Sequence, residues 1–497
     1  MMDKNSDATK EGKKAADMDM RPILYVIGIL LCTLAAGMVF PLFVDMAAGN
    51  PDWKVFFMCM IFTLFLGGAL ILTNYSNNFH IGVRQTFLMT TFSWIILSLV
   101  GGTPFMLSTL HLSLTDAFFE AMSGITTTGS TVITGLDHVA PGILLWRAIL
   151  QWLGGVGIIV TALWVLPFLR VGGMQLFQTE SSESEKAMPR ATQLAAGTGL
   201  IYLGLTALCA IGYKLSGMSA FNAITHSMTT LSTGGFSTSD SSFGQFDNIG
   251  AEITCIVFMI AGALPFILYV KAIKGNWIAL YKDTQVRTFI GIAAVAVLGV
   301  VIHQTVYTDI SFWTALRYAS FNLVSIATGT GYANQDYTLW GGLAVIVIFF
   351  LTAAGGCAGS ASCGIKTFRF QILYSVTMTQ LKKLLHPHGV FTPHYNHHPL
   401  PNGIASAVMS FFFVYALSFS VLAIGLSFVG LDYMTAMSGA VTTLSNVGPG
   451  LGDIIGPTGT FQPLPDSAKW MMSAGMLLGR LELFTVLVLF LPAFWKK

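Results

Sequence analysis

The sequence predicts an all-α polytopic membrane protein, with two N-terminal spans followed by four helix–pore-helix–helix repeats around a central pore. Three observations predict this. Of 497 residues, 54% are hydrophobic and only 10% charged, against about 25% charged in soluble domains, and mean hydropathy is +0.69. About ten apolar runs reach the ~20 residues that a helix needs to cross ~30 Å of hydrocarbon. Four short polar segments, each closed by a glycine, recur between those runs. They are Ser123–Gly129 (SGITTTG), Thr229–Gly235 (TTLSTGG), Ser325–Gly331 (SIATGTG) and Thr442–Gly448 (TTLSNVG), with terminal glycines 106, 96 and 117 residues apart.

Taken in order, residues 1–21 are mixed in charge and predicted to be a disordered cytoplasmic N-terminus. The apolar run that follows is too long for a signal peptide, and no small-residue cleavage site closes it. The spans are placed near 22–47, 54–74, 84–110, 142–170, 191–213, 250–275, 286–304, 338–379, 404–430 and 468–494. Residues 22–80 form two extra transmembrane helices. The repeats occupy 81–172, 190–276, 285–380 (its second helix broken) and 402–497, with a cytoplasmic loop at 381–401. With ten spans, all of the 25 lysines and arginines fall inside except Lys54, Arg147, Lys214, Arg317, Lys469 and Arg480. That asymmetry predicts cytoplasmic termini. The six cysteines lack metal-site spacing and read as packing residues.

Within each repeat a half-apolar segment (about 114–127, 219–231, 312–327 and 433–444) is too short to span, so it must enter and return. Backbone of that kind is tolerated at membrane depth only where protein buries it or it lines a wet cavity. Asp116 and Asp432 are candidate N-caps for two of these helices. Glycine adopts φ > 0 at low cost, so successive carbonyls can be turned toward an axis, where they replace an ion's hydration shell. Thr and Ser add uncharged oxygens, and each pore helix aims its negative C-terminal end at a cation. For any single segment, close packing of small residues is an alternative; for four at matching positions, ion conduction is the stronger reading.

Several motifs carry a family resemblance: Ala121–Ser130 (AMSGITTTGS), Gln151–Gly157 (QWLGGVG), Val171–Gln175 (VGGMQ), Gly234–Thr238 (GGFST) and Asn446–Gly452 (NVGPGLG). From about residue 22 to the end, the chain resembles the membrane subunit of bacterial Trk-type potassium uptake systems, the TrkH/TrkG family of the Trk/Ktr/HKT superfamily. The resemblance implies potassium uptake across the bacterial inner membrane, with K+ as substrate and no organic cofactor in this chain. It implies one filter glycine per repeat, mapped to Gly129, Gly235, Gly331 and Gly448. The K+-binding segment comprises Thr127, Thr128, Thr233, Gly234, Gly329, Thr330, Asn446 and Val447 with those glycines. Gly234 and Gly329 leave the register of repeats two and three open. A homodimer and a cytoplasmic ring of nucleotide-binding, NAD/ATP/ADP-responsive regulatory subunits are implied as partners, in the lipid bilayer and with no nucleic acid.

The eighth span is interrupted by Gly355, Gly356, Cys357, Ala358, Gly359 and Ser360 within 353–366. Such a run weakens a helix by up to ~1 kcal/mol per glycine. The family resemblance implies an intramembrane gate loop here; a close helix crossing is the alternative. Arg480 lies in the last apolar run, where a charge is costly and marks a pathway. Glu482 is two residues on and off its face, so a direct pair is not expected. The resemblance puts Arg480 in the pore as an electrostatic barrier; a carbonyl clamp or ion pair is the alternative. His386, His388, His394, His397 and His398 read as an ordinary solvated loop; zinc binding or pH sensing is the alternative. Gly450–Asp453 matches the GxGD of intramembrane aspartyl proteases, but no second membrane aspartate stands ready to share the proton. No nucleotide-binding motif is present, and the chain reads as a non-enzyme. Within transport, a Na+-permeable pore or H+/Na+ symport is the alternative. Glu482 and Glu120 are the acidic groups that a proton relay would need, and gradient-driven flux is the preferred reading.

Overall fold

A computed structural model describes residues 19–76, 81–161, 187–396 and 398–496. Residues 1–18 of the expected disordered N-terminus, the end of the fourth expected span, the Val171–Gln175 motif and His397 lie outside the described residues. The first span is Arg21–Gly37 continued by Val39–Ala47, and it crosses Trp53–Asn74. The crossing is made at Gly28 and Gly67: a Cβ on Gly28 would stand 2.8 Å from the Gly67 carbonyl oxygen, a small-residue contact of the kind that lets membrane helices approach. This pair is fastened to the first repeat at its far end. Asp45 Oδ1 accepts from the Gly142 amide at 2.7 Å, and Asp52 accepts from the Thr109 hydroxyl at 2.8 Å.

Four units of one grammar follow. Their first helices are Val83–Gly101, Ala187–Leu215, Thr284–Tyr307 and Ile404–Phe428. Their short pore helices are Leu114–Ile125, Ala220–Leu231, Phe312–Ala327 and Tyr433–Ser445. The second helices begin at Pro141, Ile249, Gly342 and Asp466. The architecture is the all-α, four-repeat fold that the sequence predicts. Among the described residues seven helices are long and apolar enough to cross a bilayer, and two further pairs do so only as bent spans.

Those bends differ from the continuous spans expected at 250–275 and 468–494. Ile249–Ala263 and Phe266–Ile273 meet at 97°, and Asp466–Arg480 and Phe484–Phe490 at 109°. The first bend falls at Pro265, which cannot supply the amide that a continuing helix needs. The second falls at Glu482 and Leu483, whose φ angles are +62° and +52°. In the third repeat the second helix stops at Ala353 and resumes at Thr367. All three interruptions bring non-helical backbone to the middle of the molecule.

Large apolar side chains cover the outside as well as the core, and a polar seam runs through the interior. Phe65, Leu72, Val295, Phe350 and Phe428 are exposed on the outside, while Thr127, Thr128, Thr233, Thr330, Ser445 and Asn446 are fully buried. Apolar side chains facing lipid and hydroxyls facing the centre are what a bilayer solvent selects.

Candidate ion pathway

Each pore helix is started by a side-chain cap. Ser113, Ser219, Ser311 and Asp432 accept from the amides of Asp116, Asn222, Thr314 and Thr435 at 3.1, 3.1, 3.3 and 3.1 Å. Asp432 is thus the cap expected of it. Asp116 is not: the shorter Ser113 occupies that position, and Asp116 sits in the first turn, paired with Lys469 Nζ at 2.6 Å.

Each pore helix also ends alike. The amides of Thr128, Gly234, Thr330 and Val447 reach back to the carbonyls of Ser123, Thr229, Ser325 and Thr442 at 2.8, 2.9, 2.8 and 3.1 Å. This is the six-to-one bond of a Schellman ending, and it needs a left-handed residue just before it. Thr127, Thr233, Gly329 and Asn446 supply it, with φ of +53°, +51°, +76° and +52°. Two residues on, Gly129, Gly235, Gly331 and Gly448 are again left-handed, at +91°, +77°, +81° and +105°. The alternation aligns the four segments without ambiguity. Gly329 matches Thr127, and Gly234 matches Thr128.

The four segments close on one another in a ring. A Cβ added to Gly129 would collide with the Gly234 carbonyl oxygen of the next repeat. One on Gly235 would strike the Thr330 carbonyl, and one on Gly331 the Val447 carbonyl; one on Gly448 would stand 2.8 Å from the Thr128 carbonyl oxygen. The ring therefore runs through repeats one, two, three, four and back to one. Several hydroxyls are already engaged. Thr128 Oγ1 lies 2.7 Å from Thr126 Oγ1 and accepts from Asn446 Nδ2 at 2.9 Å. Thr330 Oγ1 lies 2.8 Å from Thr328 Oγ1, and Thr233 Oγ1 donates to the Ser232 carbonyl at 2.7 Å. The groups common to all four segments are backbone carbonyls.

The interruption of repeat three lies against this ring. Gly355 through Ser360 are all buried, but the contact with the ring comes from further along. Cys363 Sγ is 3.5 Å from Thr127 Oγ1, and a Cβ on Gly329 would stand 3.5 Å from the Cys363 amide. The loop is pinned to the bend of repeat two by three backbone bonds of 3.0 Å: Cys357 N to Ala263 O, Ala361 N to Gly262 O, and Phe266 N to Gly359 O. Ala358 N donates to Gln285 Oε1, also at 3.0 Å, and Lys366 Nζ donates to the Ser362 carbonyl.

Arg480 is 3% exposed. Its guanidinium donates to the Gly154 carbonyl at 3.0 Å and the Ala361 carbonyl at 3.3 Å, and it touches Cys363 Sγ. It clamps the loop to repeat one. Gly154, Gly262 and Gly479 each lie under a carbonyl in the last turn of their own pore helix, those of Ile125, Leu231 and Leu444. The residues that follow are Gly155, Ala263 and Arg480, so one repeat puts a guanidinium where two others have almost nothing.

Four other buried charges form two ion pairs. Glu482 bonds Arg369, not Arg480, and the Arg369 guanidinium lies 3.7 Å from the Phe411 ring centroid. Glu120 pairs with Arg147 Nε at 2.8 Å, both at 1% exposure or less, and accepts the Val132 amide at 2.9 Å. Sequence reasoning found Glu120 but missed its partner; the signal was one arginine, Arg147, in an apolar run. His386, His388, His394 and His398 are exposed, and no metal-holding cluster of three or more ligands occurs among the described residues. Asp453 is exposed at the tail of the fourth segment.

Residues 53–497 match the family model of the TrkH cation transport proteins. The chain is 44% identical to the Trk system potassium uptake protein TrkI of Halomonas elongata, covering 96% of this chain and 97% of that protein. It is 36% identical to the Trk system potassium uptake protein TrkH of Escherichia coli K12, over 97% and 100%. The crystal structure of the potassium transporter TrkH from Vibrio parahaemolyticus superposes with a TM-score of 0.89 at 35% identity, over 96% of this chain and 100% of that one.

Proposed function

Because the chain belongs to the TrkH family of cation transport proteins, which are transporters and not enzymes, we propose that it passes K+ inward across the bacterial inner membrane as the membrane subunit of a Trk potassium uptake system. In the register that the left-handed residues set, the ion would be held by backbone carbonyls of Thr127, Thr128, Thr233, Gly234, Gly329, Thr330, Asn446 and Val447, with Gly329 rather than Gly331 from repeat three. Gly129, Gly235, Gly331 and Gly448 give those segments their turn. The observation that carries this reading is the closed ring, in which each glycine abuts the carbonyl of the adjoining repeat. Carbonyl dipoles at the ends of four pore helices favour a cation stripped of water.

The loop 354–366 is the gate and Arg480 its electrostatic latch. A cation leaving the ring meets Cys363 and a buried guanidinium, a barrier of both volume and charge. Gating comes from outside the chain, from a nucleotide-binding cytoplasmic subunit acting on the inner loops; both termini are cytoplasmic and the unit is a homodimer. Flux follows the gradient, since the buried Glu120 and Glu482 are held in ion pairs and offer no free carboxylate for a proton relay.

The test is radioactive Rb+ uptake into proteoliposomes, with competing K+, Na+ or Li+. Block by K+ and little by Na+ is the expected result. Equal block by Na+ would make the chain a Na+-permeable member of the same fold. No uptake by either the wild type or a 355–363 deletion would overturn the pathway.

A further inference from the structure

We infer that Gln151 is a specificity-determining positioning residue of the ion pathway; this deepens the filter reading above and rests on it. Gln151 lies on the second helix of repeat one and is fully buried. Its carboxamide crosses to repeat two. Nε2 donates to the Gly234 carbonyl at 2.6 Å, and Oε1 accepts from the Phe236 amide at 3.0 Å. The two bonds flank Gly235 and fix the peptide planes on either side of it. One turn earlier, Arg147 donates to the Ser237 carbonyl at 2.7 Å and stands 4.1 Å from the Phe236 ring centroid. One face of this helix thus carries the segment 234–237.

Repeats two and four lack this device. Three residues before the register glycines Gly154, Gly262 and Gly479 stand Gln151, Met259 and Met476. Both methionines are fully buried, and a thioether has no hydrogen to give a carbonyl. The second segment is cut to match. Where the others carry Thr128, Thr330 and Val447, it carries Gly234, and a Cβ there would collide with the Gln151 carboxamide. The doubled glycine Gly234–Gly235 and the single glutamine are two halves of one fitting. Selectivity depends on the number and field of the carbonyl dipoles, so a donor that fixes one of those carbonyls sets part of that field.

The experiment uses the full chain in proteoliposomes and reads Rb+ uptake against Na+ competition. Gln151→Met installs the residue found at the equivalent positions. Gln151→Glu keeps an acceptor for the Phe236 amide but loses the donor to Gly234, and it carries the test alone should the methionine variant not fold. Both are expected to lose about tenfold in preference for Rb+ over Na+, the scale of one hydrogen bond, measured on protein that still melts cooperatively, at a lowered melting temperature. Gly235→Ala is measured alongside. If it shifts the preference while both Gln151 variants keep wild-type values, the inference falls and the filter reading stands. If Gly235→Ala is silent too, the filter reading falls and takes the inference with it. A glutamate variant with wild-type preference overturns the role of the Gly234 bond.

Discussion

At Gly129 and Gly448 a side chain is excluded twice over. The backbone is left-handed, at φ +91° and +105°, a region that costs an ordinary L-residue about 1–2 kcal/mol. The space is also taken by the Gly234 and Thr128 carbonyls. Gly129→Ser and Gly448→Ser are therefore expected to displace ring carbonyls and relax discrimination of K+ from Na+ in folded protein. Unchanged ion preference in both variants, by competitive Rb+ uptake, would remove the filter assignment. The sequence marks these glycines but leaves the register open in repeats two and three. The reason is that the left-handed residue ending each pore helix is glycine only at Gly329; Asn446 takes it readily, while the β-branched Thr127 and Thr233 hold it against their local preference because neighbours enclose them. The buried pairs make a second residue-level case. Removing one partner of a buried ion pair costs about 3–5 kcal/mol, while replacing both with apolar residues costs far less. Glu482→Leu should lower the melting temperature more than the double variant Arg369→Met/Glu482→Leu. The reverse order would mean that the Arg369 stack on Phe411, and not the pair, holds that site.

The pore helices are the elements most legible in the sequence. Their bounds fall within two residues of expectation, since a Ser or Asp cap opens each and the polar segment closes it. Each cap should contribute about 1 kcal/mol, so Ser113→Ala, Ser219→Ala, Ser311→Ala and Asp432→Ala are expected to lower stability by similar, additive steps in thermal melts. Asp432 differs in one respect. Hydrogen bonding to Thr435 holds its carboxyl below the usual range. A depressed folded value contributes above the unfolded pKa and is lost as pH falls through the folded one. The Asp432→Ala penalty should therefore shrink in acid while the Ser113→Ala penalty does not. The bends were less legible. Pro265 announces the break at 97°, but nothing local announces the 109° turn at Glu482. That turn is held by Arg369, more than a hundred residues away in sequence, so a tertiary bond overrides an apolar run that reads as continuous helix. The glycine-rich loop was legible as an interruption, yet its contact with the ring is made by Cys363, beyond the glycine cluster that drew notice. Deleting 355–363 should raise Rb+ flux; lowered or unchanged flux in folded protein would show that the loop does not obstruct.

Over the whole molecule, three repeats hold the loop of the remaining one. Repeat two grips it by backbone bonds from Gly262, Ala263 and Phe266, and repeat four through Arg480. Repeat one contributes the Gly154 carbonyl, on which Arg480 also leans. The loop cannot leave the axis unless the bend of repeat two, the helix Thr367–Leu385 or the Arg480 clamp gives way. The first two continue into residues 271–282 and 382–396, segments that share the cytoplasmic face in the proposed orientation. A regulator pulling on either would act directly on the loop, and rigid helices and backbone bonds supply the connection. A lock on one grip tests this. Cys357 donates its amide to the Ala263 carbonyl at 3.0 Å, so the two backbones touch at the point to be locked. Ala263→Cys is expected to lose Rb+ flux on oxidation and regain it with a thiol reductant, while Ala263→Cys/Cys357→Ser responds to neither. If the oxidised, demonstrably cross-linked protein conducts as well as the reduced form, the loop need not part from repeat two, and opening must run through Arg480 alone.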